Sequence, residues 1–146
     1  MLTLKIKKLS HCKGLPEYKS EFASGMDLHA AIESPIVLAP LERKLIPTGI
    51  QIELPKGCEA QIRARSGLSI KHGITLINCI GTIDEDYRGE VCVGLVNLSK
   101  EDYTISPNER IAQMVIARVE KVEVKIVEQI SETARGEGGF GSTGKN

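Results

Sequence analysis

Arg135-Gly-Glu-Gly-Gly-Phe-Gly-Ser-Thr-Gly144 gathers one cation, one aromatic ring, two hydroxyls and five glycines into ten residues. Glycine at that density holds neither helix nor strand, because it loses the most backbone entropy on ordering. The remaining side chains suit a ligand with a flat ring and phosphates. The arginine meets an anionic end, and hydroxyls and amides donate to phosphate oxygens. Such a ligand is a nucleotide. A tail with no function can share this composition, so the segment needs support from elsewhere in the chain. Gly139 to Lys145 also fits the first seven positions of a P-loop. Asn146 stands where Ser or Thr would bind magnesium, which excludes that chemistry.

Three further stretches carry groups able to act on a nucleotide. Gly81-Thr-Ile-Asp84-Glu-Asp86-Tyr87-Arg-Gly89 reads as a hairpin with a carboxylate-rich tip. Turns favour Asp and Gly anyway, but Tyr87 has no packing reason to sit in a polar turn. A carboxylate there could take a proton from water, and the ring could stack on a sugar or base. Arg63-Ala-Arg65-Ser66-Gly67 opens a short candidate helix, where free amides attract phosphate. A plain cap flanked by solvated arginines would look the same. Gly25-Met-Asp27 is ordinarily a turn, and Gln113 in Glu109-Arg-Ile-Ala-Gln113 is ordinarily an edge-strand residue.

The elements that must position these groups alternate with period two. Leu2–Lys7, Gly49–Leu54, Cys58–Arg63, Glu90–Val96 and Val122–Val127 read as strands, with Pro35, Pro40, Pro47, Pro55 and Pro107 as punctuation between runs. The pattern predicts an all-β sandwich or barrel. One helix is expected over Ser66–His72, with Ser66 as N-cap and Gly73 as the stop. Five aromatics and no tryptophan leave the core to aliphatic side chains.

A chain of 146 residues with nineteen basic and nineteen acidic side chains is one domain without a polyelectrolyte field. Neither nucleic acid nor a membrane is an expected partner. Cys12, Cys58, Cys79 and Cys92 have no metal-type spacing, so neither zinc nor a disulfide framework is expected. No apolar run suggests a signal or membrane-spanning segment, and the expected location is the cytoplasm.

Taken in order, the stretches resemble the five motifs of the homotrimeric dUTP nucleotidohydrolases, or dUTPases. Ala23–Ala30 is similar to the first motif and Arg65–Leu68 to the second. Gly81–Glu90 is similar to the third, Glu109–Gln113 to the fourth and Arg135–Gly144 to the fifth. The resemblance implies a distorted jelly-roll or β-barrel over residues 1–133. A flexible glycine-rich arm, 134–146, would close a neighbouring subunit's active site. It implies hydrolysis of dUTP to dUMP and pyrophosphate, which limits uracil in DNA and supplies dUMP for dTMP synthesis. Mg2+ would bridge the triphosphate, with Asp27 reaching it through a bound water.

By the same resemblance Asp84 would activate the water that attacks the α-phosphorus. Arg65, Ser66, Gly67 and Gln113 would bind phosphate. Arg135 would neutralise the γ end, helped by Gly141, Ser142 and Thr143, and Phe140 would stack on uracil. Tyr87 would exclude a ribose 2′-hydroxyl, while Asn78 and the Thr82-Ile83 backbone would read the uracil edge. Some positions depart from the family pattern. Ala64 and Ile80 replace common prolines, Cys79 a common serine, Asn108 a common glycine, and Cys92 a longer residue near the base. A dCTP deaminase of the same fold and a non-catalytic dUTP sensor are the rival readings. The arm argues against the first and Asp84 against the second.

Overall fold

The computed structural model describes residues 2–139. Ten strands and one helix follow in the order β1 (Lys5–Lys8), β2 (Met26–His29), β3 (Ile36–Leu38), β4 (Arg43–Glu53), β5 (Cys58–Arg63), α1 (Ser66–His72), β6 (Ile74–Leu76), β7 (Ile80–Ile83), β8 (Glu90–Asn97), β9 (Tyr103–Ile105) and β10 (Arg110–Arg118). They form two four-stranded sheets, β1-β4-β8-β6 and β2-β10-β5-β7, with β3 and β9 as a separate pair. The all-β jelly-roll expectation holds.

Alternation explains which face each strand buries. Val91, Val93 and Leu95 of β8 and Ile46, Ile50 and Ile52 of β4 point into the core from one sheet. Leu28, Ala60, Ile62, Ala112 and Met114 meet them from the other. The core is aliphatic, as the scarcity of aromatics requires. Asn97 is fully buried at the end of β8, yet its amide is satisfied. Its Nδ2 donates to the carbonyls of Leu38 and Glu101 at 2.8 and 2.7 Å, and its Oδ1 accepts from the Ser99 N–H at 2.9 Å.

Four expectations need correction. Gly81–Gly89 is not a hairpin, because β7 pairs with β5 while β8 pairs with β4 and β6. Residues 84–89 therefore cross from one sheet to the other. Pro47 does not break a strand; β4 runs through it, opposite Cys92, at the start of a register shift that ends at Gln51. Val122–Val127 has the period of a strand but forms none, and it pairs with no strand among the described residues. Ser66 is the first helical residue rather than the N-cap; Arg65 takes the cap position with extended φ and ψ, and no side chain caps the helix. Gly73 does stop α1, with a left-handed φ of 68°.

Candidate functional site

The groups read as phosphate-binding come together at one end of the β2-β10-β5-β7 sheet. Gln113 of β10 lies opposite Asp27 of β2 and, on its other side, opposite Arg63 of β5. The chain leaving β5 carries Ala64 and Arg65 directly into α1. Gln113 Nε2 donates to the Ala64 carbonyl at 3.0 Å, which pins this crossing. Gly25 is tightly approached by the same glutamine. A Cβ there would meet Gln113 Oε1 at 2.6 Å, so the glycine of the first motif makes room for the glutamine of the fourth. Gln113 thus sits on an interior strand, not the edge strand its setting in the sequence suggests.

Asp27 is the electrostatic centre of this cluster. Its side chain is 13% exposed, and its oxygens lie 3.2 Å from Arg65 Nε and 3.0 Å from Arg110 Nη1. Arg65 also donates to the Arg110 carbonyl at 2.8 Å. One carboxylate holding two guanidinium groups leaves a net positive cradle beside the uncapped amides of α1, a setting that suits an oligophosphate. Ser66 and Gly67 are exposed at the helix start.

Arg110 was not among the expected site residues. It lies three positions before Gln113, and a regular strand would put the two on opposite faces. The register shift between Arg110 and Ala112 inserts one residue and brings both side chains toward Asp27. That bulge leaves no mark in the sequence.

Asp84 and Tyr87 sit elsewhere. The turn between them closes with the Tyr87 N–H donating to the Asp84 carbonyl at 3.1 Å. Arg88 braces it by donating to the carbonyls of Glu85 and Tyr87 at 2.7 and 2.9 Å. Glu85 Oε2 accepts from the Gly57 N–H at 2.7 Å and ties the turn to the start of β5. The Tyr87 hydroxyl donates to the Glu90 carbonyl at 3.0 Å, and the phenol end of the ring lies against Gly89, where any Cβ would collide with it. Asp84 is exposed and, with Glu59, Glu85, Asp86 and Lys121, lines a cavity of about 450 Å³.

The register measures how far apart the two groups are. Asp27, Gln113, Arg63 and Ile80 form one row across the four strands, and Asp84 lies four residues beyond Ile80. At about 4.8 Å per strand and 3.3 Å per residue, Asp27 and Asp84 are roughly 20 Å apart. One chain does not bring them together.

Asn78, Thr82 and Ile83 accompany the second group. Asn78 is exposed in the turn between β6 and β7, with its amide nitrogen close to Gly81. Thr82 and Ile83 pair with Gln61 and Ala60, and β7 is an edge strand. Arg135 is exposed and folds onto its own turn, its Nε donating to the Gly138 carbonyl at 2.8 Å. Phe140, Gly141, Ser142 and Thr143 lie outside the described residues. Of the departures noted above, Cys79 and Asn108 take left-handed φ of 61° and 62°. Burial and the Glu90 carboxylate push the Cys92 thiol pKa up, so it is a poor nucleophile.

A family model for dUTPase matches residues 13–144. The deoxyuridine 5'-triphosphate nucleotidohydrolase of Finegoldia magna is 61% identical over 130 residues, covering 89% of this chain and 91% of that one. The protein of that name from Rickettsia felis is 57% identical over 142 residues, covering 97% and 96%. Among solved structures, a mutant dUTPase of the 80alpha phage has a TM-score of 0.86 at 28% identity, with 96% of this chain and 98% of that one covered. A second mutant of the Staphylococcus bacteriophage 80alpha enzyme, with dUpNHpp, has a TM-score of 0.84 at 29% identity, with 97% and 98% covered. The ordered motifs, the sheet that carries them and these likenesses agree: the chain belongs to the dUTPase family.

Proposed function

We propose that the protein hydrolyses dUTP to dUMP and pyrophosphate at sites shared between the subunits of a homotrimer. The observation that carries this reading is the separation of roughly 20 Å between the Asp27 cluster and Asp84. A phosphate cradle and a water-activating carboxylate that far apart can serve one α-phosphorus only if different chains supply them. The bare apolar side chains of 119–130 give such an assembly something to bury. Val122, Val124 and Ile126 are 81%, 86% and 100% exposed.

On this reading Arg65, Gln113 and the amides of Ser66 and Gly67 bind the triphosphate. Asp84, exposed to water, takes the proton from the attacking molecule. Tyr87 offers its ring to the deoxyribose and leaves no room for a 2′-hydroxyl. Asn78 and the free backbone edge of β7 at Thr82 and Ile83 pair with uracil, and a mismatch there costs cytosine its hydrogen bonds. Residues 134–146 form the arm separate from the 1–133 barrel. Arg135 neutralises the γ end, Gly141, Ser142 and Thr143 complete that clamp, and Phe140 covers the base.

Magnesium fits this site in one way only. No group of three or more His, Cys, Asp or Glu side chains placed to hold a metal ion occurs among the described residues, and Asp27 already faces two guanidinium groups. Asp27 therefore suits an outer role, accepting from a water on an ion that the phosphates carry. When bound, Mg2+ would neutralise phosphate charge and orient the chain of phosphates. The four cysteines are all free, which supports a reducing cytoplasmic setting. No described helix is long and apolar enough to cross a membrane.

Product analysis with magnesium and a panel of dUTP, UTP, dTTP and dCTP tests the reading. Pyrophosphate and dUMP from dUTP alone are expected. Ammonia from dCTP, or dUTP binding without product, would overturn it.

A further inference from the structure

We infer that Glu90 is a positioning residue for the sugar-discriminating tyrosine, held in place by His11 and by the bulge in β4. The inference rests on the reading of Tyr87 given under Proposed function. The Tyr87 ring has two restraints, the close contact of its phenol end with Gly89 and the hydrogen bond from its hydroxyl to the Glu90 carbonyl. The position of the ring therefore depends on where the Glu90 peptide is held.

Three contacts hold it. Glu90 is the first residue of β8 and pairs with Gln51 across the register shift in β4. Inside that shift Gly49 adopts a φ of 72°, and its N–H points away from the ladder. Glu90 Oε1 accepts from it at 2.7 Å. The same oxygen lies 2.7 Å from His11 Nε2, with the two side chains 24% and 34% exposed. His11 and Cys12 belong to the segment after β1, which reaches β4 through the Leu9 N–H to the Gly49 carbonyl at 2.8 Å. Gly49 is pressed against the Cys12 backbone so closely that no side chain fits. The N-terminal segment and the β4 bulge thus meet at one carboxylate oxygen of Glu90, and the Tyr87 turn meets the backbone carbonyl of the same residue.

The geometry does not require charge on Glu90, only an acceptor at Oε1. Glu90→Gln keeps that acceptor, and Glu90→Ala removes it. A displacement of about 1 Å at a site of this kind can change rates up to about a hundredfold, and the ring is buttressed by Gly89 besides, so a smaller effect is expected. In Glu90→Ala the ratio of kcat/KM for UTP to that for dUTP should rise about tenfold. Glu90→Gln should stay within about twofold of the parent, a rescue that depends on an acceptor and not on charge.

The experiment measures both ratios in the full-length assembled protein, with thermal unfolding as the check on folding. A folded Glu90→Ala protein with an unchanged ratio overturns the inference, and so does Glu90→Gln behaving like the alanine variant. Should Glu90→Ala fail to fold, His11→Ala decides. It removes one of the two side-chain contacts, and a rise of about threefold supports the inference while no change overturns it. Tyr87→Ala, measured alongside, separates the two levels. If it leaves the ratio unchanged, the role of the ring fails; if it raises the ratio and the Glu90 variants do not, only the positioning fails.

Discussion

The Asp27 cluster and the Asp84 turn are built differently. Asp27 is nearly enclosed and grips two guanidinium groups, and its neighbour Gln113, on the interior strand β10, interlocks with Gly25 at the start of β2. Asp84 stands in solvent on a connection between sheets, braced only through the backbone of its turn by Arg88 and Glu85. On the proposed reading a phosphate cradle can be finished within one chain, because charges that would meet the ligand can meet each other first. A carboxylate that must reach a water gains nothing from being satisfied beforehand.

Substitution at the exposed end should therefore cost rate, and substitution at the enclosed end should cost stability as well. The largest effect is expected from Asp84→Asn, with kcat lower by about 10²–10⁴ and dUTP still bound; near-normal turnover would remove Asp84 from the chemistry. Deleting residues 134–146 is expected to abolish most turnover while leaving a folded assembly of unchanged size by sedimentation. A truncated protein of full activity would make the arm dispensable. Asp27→Ala leaves two guanidinium groups facing each other and should lower stability by about 1–2 kcal/mol, discounted for the exposure of both arginines, read from the urea midpoint. An unshifted midpoint would put Asp27 on the same footing as Asp84.

The smallest effect concerns His29, beside the cluster on β2. Burial holds its pKa below the ordinary 6.5, and its Nδ1 has no partner among the described residues. The unfolded chain then binds a proton more readily than the folded one. This contribution to stability is intact above about pH 6.5 and declines as pH falls below it. His29→Gln should flatten that part of the curve of Tm against pH. An unchanged slope would mean that other groups set it.

Much of this was legible because alternation survives in short strands. Cys58–Arg63 is β5 to the residue, Glu90–Val96 is β8 less its last residue, and the helix has its expected span. Period two reports which face a strand buries and is silent about its neighbour. That is why Gly81–Gly89 reads as a hairpin although its flanking strands belong to different sheets. It is also why Val122–Val127 reads as a strand with nothing to pair with. Bulges hide as well. The shift at Arg110–Ala112 changes the phase of a strand without any residue announcing it, whereas Pro47 and Gly49 mark the shift at Pro47–Gln51; the two bring Arg110 and Glu90 to their places. Asp27, Arg65 and Gln113 are legible only through the order of the motifs they belong to, and the structure brings the three together; Arg110 and Glu90 depend on three-dimensional partners.

The strip from Val119 to Ile130 has a consequence for handling the protein. An apolar row whose backbone beyond Val119 belongs to no strand invites pairing with any neighbouring edge, and the nearest edges in a concentrated solution belong to identical molecules. Mass action then enters the melting curve. The midpoint of unfolding is expected to climb with protein concentration, and dilution alone should loosen a chain that no substitution has touched.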